Sequence, residues 1–309
     1  MLIGGDIGGT KVLLGLEQDG RLITHRRYAS ADFSDFDTLL ATFLAATGTD
    51  PSHITAGCFA VAGPIADDGR KVALTNLPWT IDRDALSRRF GLPAVQLVND
   101  FAAAALGAVT APPAHRVTLQ EGIRLATAPC LVVGAGTGLG AAFVLPQGEG
   151  WRIVPGEAGH AAFAPADEEQ LGLWRFLHAR HGRVSWEHVV SGPGLRTIHE
   201  FLSGKTLPPE EISALAQSDE NSMARHALDL FFSAYGAFAG DMALLGLTRG
   251  GVFLAGGMAA KLLPVLHHSP FLTAFNAKAG HAAIAARMPI HVITNPALGL
   301  HGALYLARH

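Results

Sequence analysis

The sequence predicts an α/β fold, and three observations carry that expectation. Short apolar, β-rich runs alternate with longer helical segments along the whole chain. Glycine loops starting at Asp6 and at Gly134 each separate two such runs, a weak internal repeat of two lobes rather than a short solenoid period. The chain has 309 residues, 49% of them hydrophobic and 16% charged, enough to bury one large core or two ordinary ones.

Leu2 to Asp6, Val12 to Glu17 and Arg21 to Tyr28 are expected strands, the last two joined by the hairpin signal Asp19-Gly20. A helix is expected near Phe36 to Ala46. Strands follow at Ala56 to Ala62, stopped by Gly63-Pro64, and at Lys71 to Thr75. A helix begins after Thr80, with Asp82 in its first turn, and stops at Gly91. Val95 to Val98 is a strand ended by Asn99-Asp100, and Ala102 to Ala108 is a helix. Pro112-Pro113 breaks the pattern and marks a hinge or domain edge. Beyond it, strands at Cys130 to Val133 and Ala141 to Leu145 flank the second glycine loop. Helices follow at Glu168 to His181, Gly194 to Leu202, Glu210 to Ala216 and Ser222 to Leu247. A strand at Gly251 to Ala255 runs into Gly256-Gly257 and a helix. Pro289 to Thr294 is the last strand and Leu300 to Arg308 the last helix.

The balance of 23 basic and 26 acidic side chains gives a net charge of −3. No basic excess points to nucleic acid or an acidic membrane. Two cysteines, Cys58 and Cys130, make neither a disulfide framework nor a four-cysteine zinc site. The opening Met1-Leu2-Ile3-Gly4-Gly5-Asp6 lacks the basic stretch and long apolar run of a signal peptide. Leu125 to Leu145 is uncharged, but Pro129 and four glycines interrupt it, so it is expected to form strand–turn–strand rather than a membrane span. The expected protein is soluble and cytoplasmic.

Six places are candidates for chemistry. In Asp6-Ile7-Gly8-Gly9-Thr10 the glycines let backbone N–H groups approach an anion, and a carboxylate at a strand end suits Mg²⁺. An ordinary hairpin with a solvated Asp is the competing account. Gly134-Ala135-Gly136-Thr137-Gly138-Leu139-Gly140 lacks both the following helix of a dinucleotide site and the Gly-Lys-Ser/Thr of a Walker loop. Two such loops together suit the two ends of a triphosphate. Asn99-Asp100 offers a base for a substrate hydroxyl, or Asp100 caps the next helix, and the two roles are compatible. Glu157 and His160, three apart among small residues, suit adjacent sugar hydroxyls; a metal pair lacks a third ligand at convincing spacing. Glu187 by itself reads as a solvated helix residue. Finally, Gly256-Gly257 after an apolar strand suits a flat ring or sugar-phosphate near backbone, or plain strand–helix packing.

Taken in order, these stretches resemble the bacterial glucokinases, of the hexokinase-like sugar kinase group. The resemblance runs from Gly5 to about Leu306. It covers Gly5 to Thr10, Thr75-Asn76 with Trp79, Asn99-Asp100-Phe101, Gly134 to Gly140 and Pro155 to His160. It continues through Phe163-Ala164-Pro165, Ser191 to Leu195, Gly250 to Phe253 with Ala255-Gly256-Gly257, and Asn295-Pro296. It implies a two-lobed actin-like ATPase (ribonuclease H-like) fold with a cleft between lobes. Residues 1–110 plus 297–309 would form a small domain and 111–296 a large one. It also implies ATP-dependent phosphorylation of D-glucose at the 6-hydroxyl, with Mg²⁺, in a homodimer. On this resemblance Asp100 is the general base, and Asn99, Asp100, Glu157, His160 and Glu187 are sugar partners. Asp6 organises Mg²⁺; Gly8, Gly9 and Thr10 form the first phosphate loop, and Gly136, Thr137 and Gly138 the second. Gly256 and Gly257 belong to the adenosine motif. A sister group of sugar kinases and repressors carries a cysteine-rich zinc motif after the glutamate–histidine segment. No cysteine follows Cys130, so that site is not expected. The repressors' DNA-binding region is not expected either, since five residues precede Asp6; Lys11 is shared with the sister group. A kinase for a related hexose (glucosamine, mannose or an N-acetylhexosamine) and a non-catalytic sugar or nucleotide sensor are the alternatives.

Overall fold

The computed structural model describes residues 1–66, 68–74 and 77–309; Thr75 and Asn76, part of the family pattern, lie outside the described residues. The chain divides into two compact units. Met1–Ala111 with Asn295–His309 is the first, and Pro112–Thr294 is the second.

The first unit is built on β1 (Leu2–Ile7), β2 (Lys11–Gln18), β3 (Arg21–Ala29), α1 (Phe36–Thr47), β4 (Ala56–Val61), β5 (Lys71–Ala73), β6 (Thr80–Asp82), α2 (Arg83–Phe90), β7 (Val95–Asn99) and α3 (Asp100–Val109). Its main sheet has the order β3-β2-β1-β4-β7. The first three strands are antiparallel, and β1, β4 and β7 are parallel. Asp19 and Gly20 both take positive φ, the geometry of a tight primed hairpin turn. Asp35 caps α1 by accepting from Thr38 N–H, and Gly48 ends it in the left-handed region. Ile3, Ile7, Leu14, Phe36, Phe43 and Phe59 fill the core.

One sequence expectation fails in this unit. Thr80–Asp82 is not helical but pairs with Lys71–Ala73, and Asp82 is the N-cap of α2 rather than a residue of its first turn. A cap keeps extended backbone, so the residue that starts a helix also suits the end of a short strand.

The second unit contains β8 (Arg116–Gln120), β9 (Cys130–Ala135), β10 (Leu139–Gln147), β11 (Gly150–Gly156), α4 (Glu168–His181), α5 (Gly192–Ser203), α6 (Pro209–Ser218), α7 (Met223–Gly246) and β12 (Gly251–Ala255). Short helices α8 (Gly257–Lys261), α9 (Leu263–His267), α10 (Phe271–Asn276) and α11 (Ala282–Ala285) precede β13 (Ile290–Ile293). Its sheet has the order β11-β10-β9-β12-β13-β8. Both strands that the sequence pattern did not signal, β8 and β11, are its edges. Edge strands need no buried apolar run, and β11 tolerates Pro155 for the same reason.

The core helix is α7, whose Phe231, Phe232, Tyr235 and Phe238 are fully buried. Among the described residues it is the one helix long and apolar enough to cross a membrane, but it lies mostly buried inside the fold. Residues 125–145 form β9, a tight loop and β10 instead. Cys58 and Cys130 are buried and unbridged, and burial pushes the Cys130 thiol up to about 11.

The last helix, α12 (Leu298–Arg308), belongs to the first unit. Gly107 of α3 meets the Leu298 carbonyl, and Gly302 of α12 meets Ala103 backbone, where any β-carbon would collide. The two helices therefore approach at backbone distance, and α12 packs against α3, which begins at Asp100, and against β1, which carries Asp6.

Candidate active site

In the first unit, parallel pairing aligns three strand ends. Ile7 is level with Val61, and Val61 with Asn99. Asp6 and Asp100 thus emerge at the carboxyl edge of one sheet, the edge where open α/β sheets bind ligands. Burial pushes the Asp6 carboxyl up to about 6; the Asp100 charge adds to the shift and Lys11 opposes it.

The first loop is held from both sides. Gly8 N–H donates to the Lys11 carbonyl at 3.0 Å. The buried Ser30 donates its hydroxyl to the Gly8 carbonyl at 2.9 Å and its N–H to the Thr10 carbonyl at 3.0 Å. Ser30 carries no motif, and its role arises only because β3 ends beside the loop.

At the end of β7 the cap of α3 is Asn99, not Asp100. Asn99 Oδ1 accepts from the N–H groups of Phe101 (3.0 Å) and Ala102 (3.1 Å). Asp100 lies in the first helical turn and accepts from Phe101 N–H at 2.8 Å. The helix N-terminus stabilises negative charge on Asp100. The expected cap at Asp100 is corrected by one residue, because Asn is an equally good cap and its backbone is still extended.

In the second unit, the loop between β9 and β10 is closed by Gly136 N–H donating to the Gly138 carbonyl at 2.9 Å. Gly256 takes φ +85° at the start of α8, and a β-carbon there would stand 2.8 Å from the Ala135 carbonyl oxygen. Only glycine meets both demands. Gly136, Thr137, Gly257, Met258 and Lys261 border a cavity of about 690 Å³, with Arg196 also on its wall. The sequence did not single out Met258, Lys261 or Arg196, which sit on ordinary helices and carry no spacing signal.

Glu157 and His160 flank a short turn on the surface, their closest N and O atoms 4.0 Å apart. Among the described residues no group of three or more His, Cys, Asp or Glu side chains is placed to hold a metal. Trp186 N–H donates to the Ala161 carbonyl at 3.0 Å, and Phe163 N–H to the Val184 carbonyl at 3.0 Å. These bonds dock the Glu157–His160 turn onto the segment carrying Glu187. Glu187 is not a solvated helix residue. It sits half-buried in a short turn, Trp186–His188, and its Oε2 accepts from Leu139 N–H at 2.8 Å. Beside it, burial lowers the His188 pKa, and neutral Nδ1 accepts from Ser185 N–H at 3.0 Å.

The chain is similar to known proteins over nearly its whole length. The family model "Glucokinase" matches residues 3–309. A glucokinase of a Nostoc species is 36% identical over 340 residues, covering 99% of this chain and 98% of its own. Among solved structures, a glucokinase from an Antarctic psychrotroph is similar at TM-score 0.89 and 28% identity, covering 99% of this chain and 98% of that one. A glucokinase from Balamuthia mandrillaris, solved in complex with glucose, is similar at TM-score 0.77 and 25% identity, covering 100% and 93%. The fold is the actin-like ATPase fold of the sugar kinases.

Proposed function

The chain belongs to the glucokinase family, and from that premise we propose that it transfers the γ-phosphoryl group of ATP to the 6-hydroxyl of D-glucose. The observation that carries the catalytic assignment is the charge-coupled pair Asp6 and Asp100 at the carboxyl ends of the parallel strands of one sheet.

Phosphoryl transfer is mostly positioning and charge stabilisation. Asp100 accepts the proton of the attacking hydroxyl, held in place by its bond from Phe101 N–H. Asn99 spends Oδ1 on the helix cap, which leaves its amide NH₂ to donate to a sugar oxygen. Glu157, His160 and Glu187 supply further hydroxyl partners in the second unit.

Gly9 and Thr10 offer backbone donors to one part of the triphosphate. In the second loop the Gly136 and Leu139 amides are already committed, so Thr137 and Gly138 supply the donors there. The cavity beyond Gly257 accepts the nucleoside, with Met258 as an apolar wall and Arg196 and Lys261 as cations.

A divalent cation fits beside Asp6. Burial and the Asp100 charge destabilise this carboxylate, and a bound cation relieves both. When bound, Mg²⁺ offsets charge on the phosphate oxygens.

The test is a coupled ADP-release assay with Mg-ATP and a panel of hexoses, with Asp100→Asn as control. Release with glucose that disappears in the variant supports the reading. Stronger release with another hexose keeps the mechanism and moves the substrate. Nucleotide binding without sugar-dependent release overturns the catalytic reading in favour of a sensor.

A further inference from the structure

The Leu139 backbone joins the second glycine loop to both sugar-facing segments of its unit. Its N–H donates to Glu187 Oε2 at 2.8 Å. Its carbonyl lies against Gly159, between Glu157 and His160, where any β-carbon would collide with it. At Gly138 a β-carbon would stand 2.5 Å from Glu187 Oε2. The other end of the loop is tied to the same segment: Gly192 N–H donates to the Gly136 carbonyl at 2.8 Å. Ser191 Oγ donates to the Glu187 carbonyl at 2.7 Å. The segment 187–192 therefore grips the loop at its entry and at its exit.

We propose that Glu187 is a positioning residue for the second phosphate loop, so that sugar and nucleotide occupancy are coupled inside this unit. The proposal rests on the assignment of Glu187 as a sugar partner. A carboxylate offers about four acceptor sites on two oxygens. Oε2 holds the Leu139 amide, and Oε1 takes no hydrogen bond among the described residues. A sugar hydroxyl donating to Oε1 fixes the carboxylate rotamer, and with it the Leu139 amide and the Gly138 backbone next to it. The nucleotide then meets a loop whose ordering cost is already met. By reciprocity, bound nucleotide raises sugar affinity by the same factor. Removing the acceptor must weaken nucleotide binding even with no sugar present, which no purely sugar-binding residue would do.

The experiment titrates Mg-AMPPNP by calorimetry, without and then with glucose, on wild type, Glu187→Met, Glu187→Gln and His160→Ala. Glu187→Met keeps length and loses the acceptor; it should weaken nucleotide binding without sugar by about tenfold, the scale of one charge-assisted hydrogen bond. Glu187→Gln keeps an acceptor for the Leu139 amide and should stay within about threefold of wild type. His160→Ala should leave sugar-free nucleotide affinity unchanged. A folded Glu187→Met that binds nucleotide like wild type overturns the proposal. A variant that loses nucleotide affinity but binds glucose normally refutes the sugar role and leaves the positioning role standing. A fold-independent readout uses wild type alone: glucose should slow hydrogen exchange at the Leu139 amide by about fivefold or more. Unchanged exchange under saturating glucose also overturns the coupling.

Discussion

Gly299, in the first turn of α12, stands where a β-carbon would lie 2.6 Å from the Asp6 carboxyl carbon and 2.6 Å from its Oδ2. The C-terminal helix thus helps to define the space in which the Asp6 carboxylate sits. Gly299→Ala should displace Asp6 and cost about 1–3 kcal/mol of stability, the usual cost of overpacking. If the displacement disturbs the cation site, KM for Mg-ATP rises while KM for glucose stays near wild type. A variant with unchanged stability and kinetics would show that Asp6 has other room to move.

Asp6 also sets a pH dependence. The folded protein holds this proton up to about pH 6, whereas the unfolded chain releases it near 3.8. Between those values the native state binds more protons, so this group's contribution to stability falls as pH rises. The loss amounts to about 3 kcal/mol at most across that window. Asp6→Asn removes the titration. Its stability relative to wild type, measured by thermal melts without Mg²⁺, should therefore be greater at pH 7 than at pH 4. A gap that does not change with pH contradicts the buried, charge-coupled environment.

Asp100→Asn should lower kcat by roughly 10²–10⁴-fold, the usual value of general-base assistance, with glucose binding largely kept. Near-normal turnover would remove Asp100 from the base role. The folded state should survive the change, since the cap of α3 is Asn99.

Asn99→Ala separates capping from substrate contact. Loss of the Oδ1 cap should cost about 0.5–2 kcal/mol of stability. Loss of the amide donor should raise KM for glucose. Asn99→Asp restores the cap without the NH₂, so it should recover stability and not KM. Recovery of both would assign Asn99 to structure alone.

Glu157→Ala should raise KM for glucose by about tenfold or more, since a hydrogen bond to a charged group contributes about 1.5–3 kcal/mol. Stability should hardly change, because the side chain is 86% exposed. An unchanged KM would remove Glu157 from the sugar contacts.

Much of this was legible in the chain itself. Hydrophobic periodicity and glycine or proline punctuation located nearly every core strand and helix, because a buried strand needs an apolar run and a helix end needs a cap. The glycine loops and Asn99-Asp100 stood out because close backbone approach and strand-end polar groups demand particular residue types. The edge strands β8 and β11 did not, since an edge needs no buried run. Taken alone, Glu187 looks like a solvated helix residue for a related reason. Nothing in Ser185-Trp186-Glu187-His188 signals that Leu139, far away in sequence, presents an amide to it. Ser30 and Gly299 were equally silent, because their parts consist of a hydroxyl reaching a distant carbonyl and an atom that is missing. Residue type and spacing determined the elements and the loops that approach phosphate. Which side chains stand behind those loops was decided only by packing, because long-range hydrogen bonds and steric gaps leave no periodic trace in a sequence.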